Sequence, residues 1–327
     1  MKLSGNADSA DYRFAVGFSC GVFACVLWGL VYLVPLALPD YDPVYISAGR
    51  FVSFGAVALP LIYLEREELS HYTASDWWLV TKLGVIGNIV YYWSLATCIQ
   101  YAGAPLAGMC MSVVPVSVAI IANIRDKKKN RSLAWGKLAP GLLLIVAGFV
   151  LANGGEFDAV VASQGGSGIR FWIGFGFGVF ALALWTWYPI RNSDWLIDNP
   201  KRSATTWSTA QGLVTLPFAF VLYLAYWAVD PNATGILGER PLWFALVVAG
   251  SGLVCSWMGI AFWNAMSQRL PTVLAGHMIV FETVFAVLFA HAWRGEWPTV
   301  AMLSGLALLI AGVFVSLWAF RSAQKKS

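Results

Sequence analysis

The chain has 327 residues, 59% of them hydrophobic and 12% charged, with a formal net charge of +4. That is more apolar surface than a soluble domain of this length needs, so the composition excludes a soluble globular protein and implies a polytopic membrane protein. The small positive surplus reads as a topology signal rather than a basic surface for nucleic acid, and no nucleic-acid partner is expected.

Met1 to Tyr12 is polar, and residues 1–13 are expected to form an irregular N-terminal tail. Ten apolar runs follow, at 14–36, 44–64, 77–98, 103–124, 132–152, 171–190, 205–228, 241–267, 272–293 and 298–320. Each is about long enough to cross a bilayer as a helix. Barrel strands would be roughly ten residues long with strict alternation, which these runs lack. The expected fold is therefore an all-α polytopic membrane protein with ten transmembrane helices.

The first run carries Trp28 and Tyr32 and ends at Pro35 and Pro39; without a small-residue cleavage site it reads as a retained span. The second carries Arg50, about 9 Å from its outer end at 1.5 Å per residue. The third holds Asn88 and the aromatic run Tyr91-Tyr92-Trp93. The fourth holds Met109, Met111 and Pro115, a proline that removes one backbone hydrogen bond and needs compensation from neighbouring helices or a cavity. The fifth closes on Ala147-Gly148, and the Gly/Ser-rich stretch 153–169 reads as an external linker between the halves 14–152 and 170–320. In the second half, the sixth run has Gly174, Gly176 and Gly178 ahead of Trp185 and Tyr188, and the seventh has Gln211 and Pro217. The eighth has Trp257, Trp263 and Asn264; the ninth has His277, Phe281, Glu282 and His291. Residues 321–327 form a short basic tail.

Of the 21 lysines and arginines, Arg50 lies within a run, Arg170, Arg240 and Arg294 fall on one side, and the rest fall on the side of the N-terminus. This bias places both termini in the cytoplasm and the protein in the plasma (inner) membrane. The basic cluster Arg125 to Arg131 then reads as an ordinary inner loop. Cys20, Cys25, Cys98, Cys110 and Cys255 all lie within runs and lack CxxC spacing, so they read as packing thiols. No metal cluster, phosphate loop or nucleotide fingerprint occurs, so no cofactor is expected and an ATP-driven pump is disfavoured.

The halves resemble each other. Ala24-Cys25-Val26-Leu27-Trp28 parallels Ala181-Leu182-Ala183-Leu184-Trp185, Tyr92-Trp93 parallels Phe262-Trp263, and Gly141 and Gly148 match Gly305 and Gly312 at the same spacing. A duplicated unit of five spans inserts its second copy inverted, the arrangement of transporters that rock about a midplane site. The patterns LAGMCMSVVPVSVAI with LLLIVAGFVLA, and LAGHMIVFETVFAVL with RGEWP and LLIAGVFV, resemble the two EamA-type units of the drug/metabolite transporter superfamily over residues 14–320. That resemblance implies two inverted five-helix repeats around a cavity lined by the first, third, fourth, sixth, eighth and ninth helices. It also implies export of amino acids, related metabolites or toxic amphiphiles, with import in some members. Many such units carry a central proline in both the fourth and ninth helices. Here Pro115 keeps it, whereas the ninth has Glu282-Thr283.

Glu282 is the strongest functional candidate, because a carboxyl at membrane depth is costly and usually faces a protein interior or a water path. It could exchange a proton, bind a substrate cation, or serve as a structural acid. Arg50 could take a substrate carboxylate bidentately or snorkel to the interface. Asn88 and Asn264 suit substrate contact or interhelical hydrogen bonding. Trp28, Tyr32, Tyr92, Trp93, Trp185, Tyr188 and Trp257 could form an aromatic wall, with Met109, His277 and Phe281 completing the expected substrate-binding set. His277 lies about 140° round the helix from Glu282, so the two do not share a face. The expected function is a secondary transporter exporting amino acids or similar small amphipathic metabolites, with proton exchange at Glu282 an open question. An uptake carrier of the same fold is the alternative, and an intramembrane enzyme is disfavoured by the angular separation of Glu282 and His277. The expected partners are a small-molecule substrate and membrane lipid, and the chain is expected to act as a monomer or homodimer.

Overall fold

The computed structural model describes residues 4–127, 134–163 and 168–324, and among them the regular elements are all helical. Ten helices are long and apolar enough to cross a membrane: Asp11–Ala37, Pro43–Leu69, Ala74–Ala102, Leu106–Arg125, Trp135–Ala152, Ile169–Asp198, Ala204–Val229, Pro241–Ser267, Thr272–Arg294 and Val300–Ala319. These are the first to tenth spans. The first helix begins at Ser4, so most of the head expected to be irregular is helical. It contains no proline, and extending an existing helix adds a hydrogen bond for each residue fixed. The fifth helix, which meets no proline after Pro140, likewise continues to Ser163, through much of the stretch read as a linker. Residues 164–167 and 128–133, the latter within the basic cluster, lie outside the described residues.

Prolines set the breaks. Pro35 has no N–H and its ring displaces the carbonyl four residues earlier, that of Val31. The first span accordingly tightens to a 3-10 turn at Leu30–Tyr32 before resuming as Leu33–Ala37, and the Val31 carbonyl accepts the Tyr92 hydroxyl at 3.3 Å. The fourth span is interrupted at Val113, two residues before Pro115.

The third and eighth spans share a different irregularity. Each contains eight residues of π-helix, Leu83–Val90 and Ser251–Met258. Wide turns of this kind loosen the carbonyl ladder and recur at functional sites. Here the loosened carbonyls are taken up from neighbouring spans: Ser47 Oγ donates to Ile89 O at 3.0 Å, and Trp28 Nε1 donates to Cys255 O at 2.9 Å.

The spans pack in cross-half pairs. The first lies against the eighth and ninth, the second against the seventh, the third against the sixth, the fourth against the ninth, and the fifth against the tenth. The fourth also lies against the sixth, as the first does against the ninth, so exchanging the halves leaves this set of pairs unchanged. The fifth and tenth spans show the symmetry at atomic scale. A Cβ on Gly141 would meet Gly312 O at 2.8 Å and one on Gly312 would meet Gly141 O at 2.7 Å, while Gly148 and Gly305 meet each other's carbonyl oxygens at 2.6 Å. Small residues allow such backbone approach, which replaces the hydrophobic drive that lipid does not supply.

Gly148→Leu should therefore destabilise the fold by about 1–3 kcal/mol through overpacking, lowering the melting temperature in detergent. Gly176→Leu, where a side chain meets open space, should leave it unchanged; equal melting temperatures for the two variants would contradict this packing.

Candidate functional site

The break in the first span and the two wide turns converge on one small cavity of about 20 Å³, lined by Trp28, Val31, Arg50, Phe51, Asn88, Tyr91, Tyr92, Trp185, Ile260 and Glu282. It has room for about one water molecule. Six spans supply its wall: the first, second, third, sixth, eighth and ninth. The fourth span, expected to line it, packs instead on the ninth, where Gly276 admits Val118. The second span stands there in its place and brings Arg50.

Arg50 and Glu282 are 5% and 4% exposed. Arg50 Nε donates to Ser256 Oγ, in the π-helical turn of the eighth span, at 2.9 Å. Its guanidinium lies 4.2 Å from the Tyr92 ring centroid and 5.3 Å from that of Phe51, so the charge is met by π-density as well as by a hydroxyl. Ion pairs among the described residues join Arg125 to Asp194 and Arg240 to Asp40, but none joins Arg50 to Glu282. Glu282 Oε2 has no hydrogen-bond partner, and neither have Asn88 Nδ2 and Trp185 Nε1. Trp185 faces the Glu282 carboxyl without closing a hydrogen bond. Tyr91 lines the cavity with Glu282, and Cys25 and Tyr32 lie within electrostatic reach of the carboxyl. Buried polar atoms are ordinarily paired. Three such unpaired atoms belong to residues that line this one cavity.

Aromatic rings frame this polar centre. Tyr91, Trp185 and Tyr188 stack in a column, with centroids 4.4 Å and 4.9 Å apart and planes within 12° and 9° of parallel. Trp28 meets Trp185 edge-on at 5.1 Å and Trp263 at 4.9 Å. Of the residues expected from sequence, Trp28, Arg50, Asn88, Tyr92, Trp185 and Glu282 line the cavity. Tyr32 is buried within electrostatic reach of Glu282 but off the cavity wall, and Tyr188 ends the aromatic column. The others sit elsewhere. Trp93 packs on Phe177 at 5.0 Å, Met109 belongs to a separate cluster with Leu106 and Phe171, and Phe281 meets Phe18 at 5.9 Å. Trp257 Nε1 bonds Thr209 at 3.2 Å, Asn264 bonds Asn192, and fully buried His277 bonds Val273 O through Nδ1. Val31, Phe51, Tyr91 and Ile260 were missed by sequence reasoning. Proximity to Trp28, Arg50 and Asn88 along the helix is the signal that could have found the first three.

The two ends of the bundle differ. Toward the corner near residues 70 and 202, a buried network runs from the aromatic column: Tyr188 to Gln211 at 2.8 Å, Gln211 and Trp207 to Asn192 at 3.3 and 2.9 Å, Asn192 to Asn264 at 2.7 Å, and Asn264 to Ser208 at 2.8 Å. Beyond it Trp195 and Trp207 stack at 3.5 Å, Trp195 Nε1 donates to Asp76 at 2.6 Å, and Glu68 accepts from Ser203 N. Gln268 closes this corner by donating to Arg202 O at 2.6 Å. At the opposite end Gln100 makes the corresponding bond to Tyr41 O at 2.8 Å. There, however, a cavity of about 320 Å³ opens between Asp42, Tyr45, Tyr101, Tyr226 and Asp230.

Residues 15–154 match the model of the EamA-like transporter family. The chain is 36% identical over 305 residues to the inner membrane protein YtfF of Escherichia coli (strain K12), covering 92% of this chain and 94% of that one. It is 30% identical over 122 residues to the uncharacterized transporter YdeK of Bacillus subtilis (strain 168), 37% of this chain and 41% of that one. A crystal structure of a protein at 16% identity superposes with a TM-score of 0.68 over 95% of this chain and 99% of that one, which speaks for the fold alone. The ten-helix architecture and the extent of the match to YtfF show that this chain is a polytopic membrane protein of the EamA-like transporter family, in the drug/metabolite transporter superfamily.

Proposed function

We propose that the protein is a secondary transporter that exports amino acids or similar small amphipathic metabolites by alternating access. The observation that carries this reading is the group of unpaired polar atoms of Asn88, Trp185 and Glu282, with Arg50 beside them, buried together at the meeting point of six spans. Such groups are expensive in an apolar setting and are kept where a ligand or ion satisfies them. The cross-half pairing of spans supports an inverted duplication at residues 14–152 and 170–320, which is the architecture suited to opening a central site to each side in turn. The charge bias supports termini in the cytoplasm, and the likeness to an inner membrane protein of Escherichia coli supports that membrane. On that orientation the network around Asn192 closes the cytoplasmic end, and the 320 Å³ cavity faces outward. We place proton exchange at Glu282, which lines the cavity with Arg50, Tyr91 and Trp185 and has Cys25 and Tyr32 within electrostatic reach.

Reconstituted vesicles should release preloaded amino acids unaltered and faster than protein-free vesicles, and faster under an imposed pH gradient; chemical conversion of the amino acid or flux equal to that of empty vesicles would contradict transport. Glu282→Gln should flatten the dependence of flux on pH across the neutral range. An unchanged profile would remove Glu282 from coupling. Asn192→Ala, which removes the central member of the cytoplasmic network, should increase reaction of an impermeant thiol reagent with a cysteine placed at Ser208 when added from the cytoplasmic face. Unchanged reactivity would mean that the network is not the closure.

A further inference from the structure

The charges around the cavity carry information about what fits it. Arg50 is held from the eighth span through Nε and lies against Tyr92 of the third, and its guanidinium lines the cavity. A guanidinium so presented suits a carboxylate, which can accept two parallel hydrogen bonds. Asn88 Nδ2, 4% exposed at residue level and without an acceptor, is a further donor on the same cavity. Across from these donors stands Glu282, whose Oε2 lacks a donor. A ligand with only a positive charge would be drawn to Glu282 and repelled by Arg50, and a purely anionic one would meet the reverse. Interactions between charges weaken little in such a dry setting.

Building on the transport reading above, we propose that the cavity is a clamp for a zwitterion: Arg50 and Asn88 take the carboxylate of an α-amino acid, and Glu282 takes its ammonium group. The ligand carries a charge of each sign on groups that share one carbon, so each buried charge meets its opposite, and Asn88 Nδ2 and Glu282 Oε2 gain partners, without Arg50 and Glu282 having to touch. Trp28, Phe51 and Ile260 supply the apolar wall for the side chain. With room for about one water in this conformation, admission requires the walls to part, and the edge-on contact between Trp28 and Trp185 joins the first half of the chain to the second at that point.

Thermal stabilisation of the purified protein tests the clamp, because a ligand that binds the native state raises its melting temperature. The twenty L-α-amino acids are screened first, and the strongest stabiliser is compared with its methyl ester, which lacks the carboxylate, and its N-acetyl derivative, which lacks the ammonium. The wild-type protein should bind each derivative roughly tenfold or more weaker than the parent. Arg50→Gln should erase the preference for the free acid over the ester while keeping the preference over the N-acetyl compound, and Glu282→Gln should do the converse. Arg50→Lys should restore part of the acid preference. These ratios are read within each variant, so a loss of overall stability does not mimic them. If amino acids stabilise the protein but the ester binds as well as the acid, or Arg50→Gln leaves that ratio unchanged, the clamp is wrong while the transport reading stands. If no amino acid stabilises it, both the clamp and the amino-acid assignment fall.

Discussion

Arg50 and Glu282 carry opposite charge, are buried to within a few per cent, line one cavity, and do not touch. In an apolar surrounding each would be costly alone, and a direct ion pair would be the simplest relief. The fold withholds it. The guanidinium is instead positioned by Ser256 and Tyr92, and the carboxyl is left with an oxygen unpaired. The rest of the molecule can be read as what is needed to keep this separation while excluding lipid and most water.

Backbone irregularity is the means. Inside a regular α-helix each carbonyl already accepts the N–H four residues on, which leaves it less available to a neighbour. Pro35 releases the Val31 carbonyl to Tyr92, and the two π-helical stretches offer Ile89 and Cys255 carbonyls to Ser47 and Trp28. The side chains fixed this way are those beside Arg50 or on the cavity wall. Regular packing is confined to the periphery, where Gly141 and Gly148 meet Gly312 and Gly305 in close antiparallel contact between the fifth and tenth spans.

Much of this was legible in the sequence because a membrane makes few exceptions. Ten spans follow from apolar run length, and Arg50 and Glu282 stand out because charges within such runs are rare. The matched spacing of Gly141 with Gly148 and Gly305 with Gly312, read as a sign of duplication, falls in a helix pair where these glycines prove to be in contact. What stayed hidden depends on phase. The π-helix at Leu83–Val90 alters the rotation of the third span, so that Tyr91 and Tyr92 reach the cavity while Trp93 turns to Phe177. A reading at 3.6 residues per turn cannot find that. Polar pairing is equally invisible in one dimension: Asn264 looked like a cavity residue but is saturated by Asn192 and Ser208, whereas Asn88, of the same chemistry, is left unpaired. Head and linker erred in the other direction, since polarity marks where a helix leaves lipid and not where it ends.

The central claim is that one buried cavity, at the meeting of the two halves, is reached from either face of the membrane in turn. Its most direct test places a single cysteine at Asn88 in a protein whose five native cysteines are replaced, and exposes it to a small membrane-impermeant thiol reagent in right-side-out and in inverted vesicles. The account predicts modification from both faces, with bound amino acid slowing it from each. Modification from one face alone, whatever the ligand or pH, would contradict it.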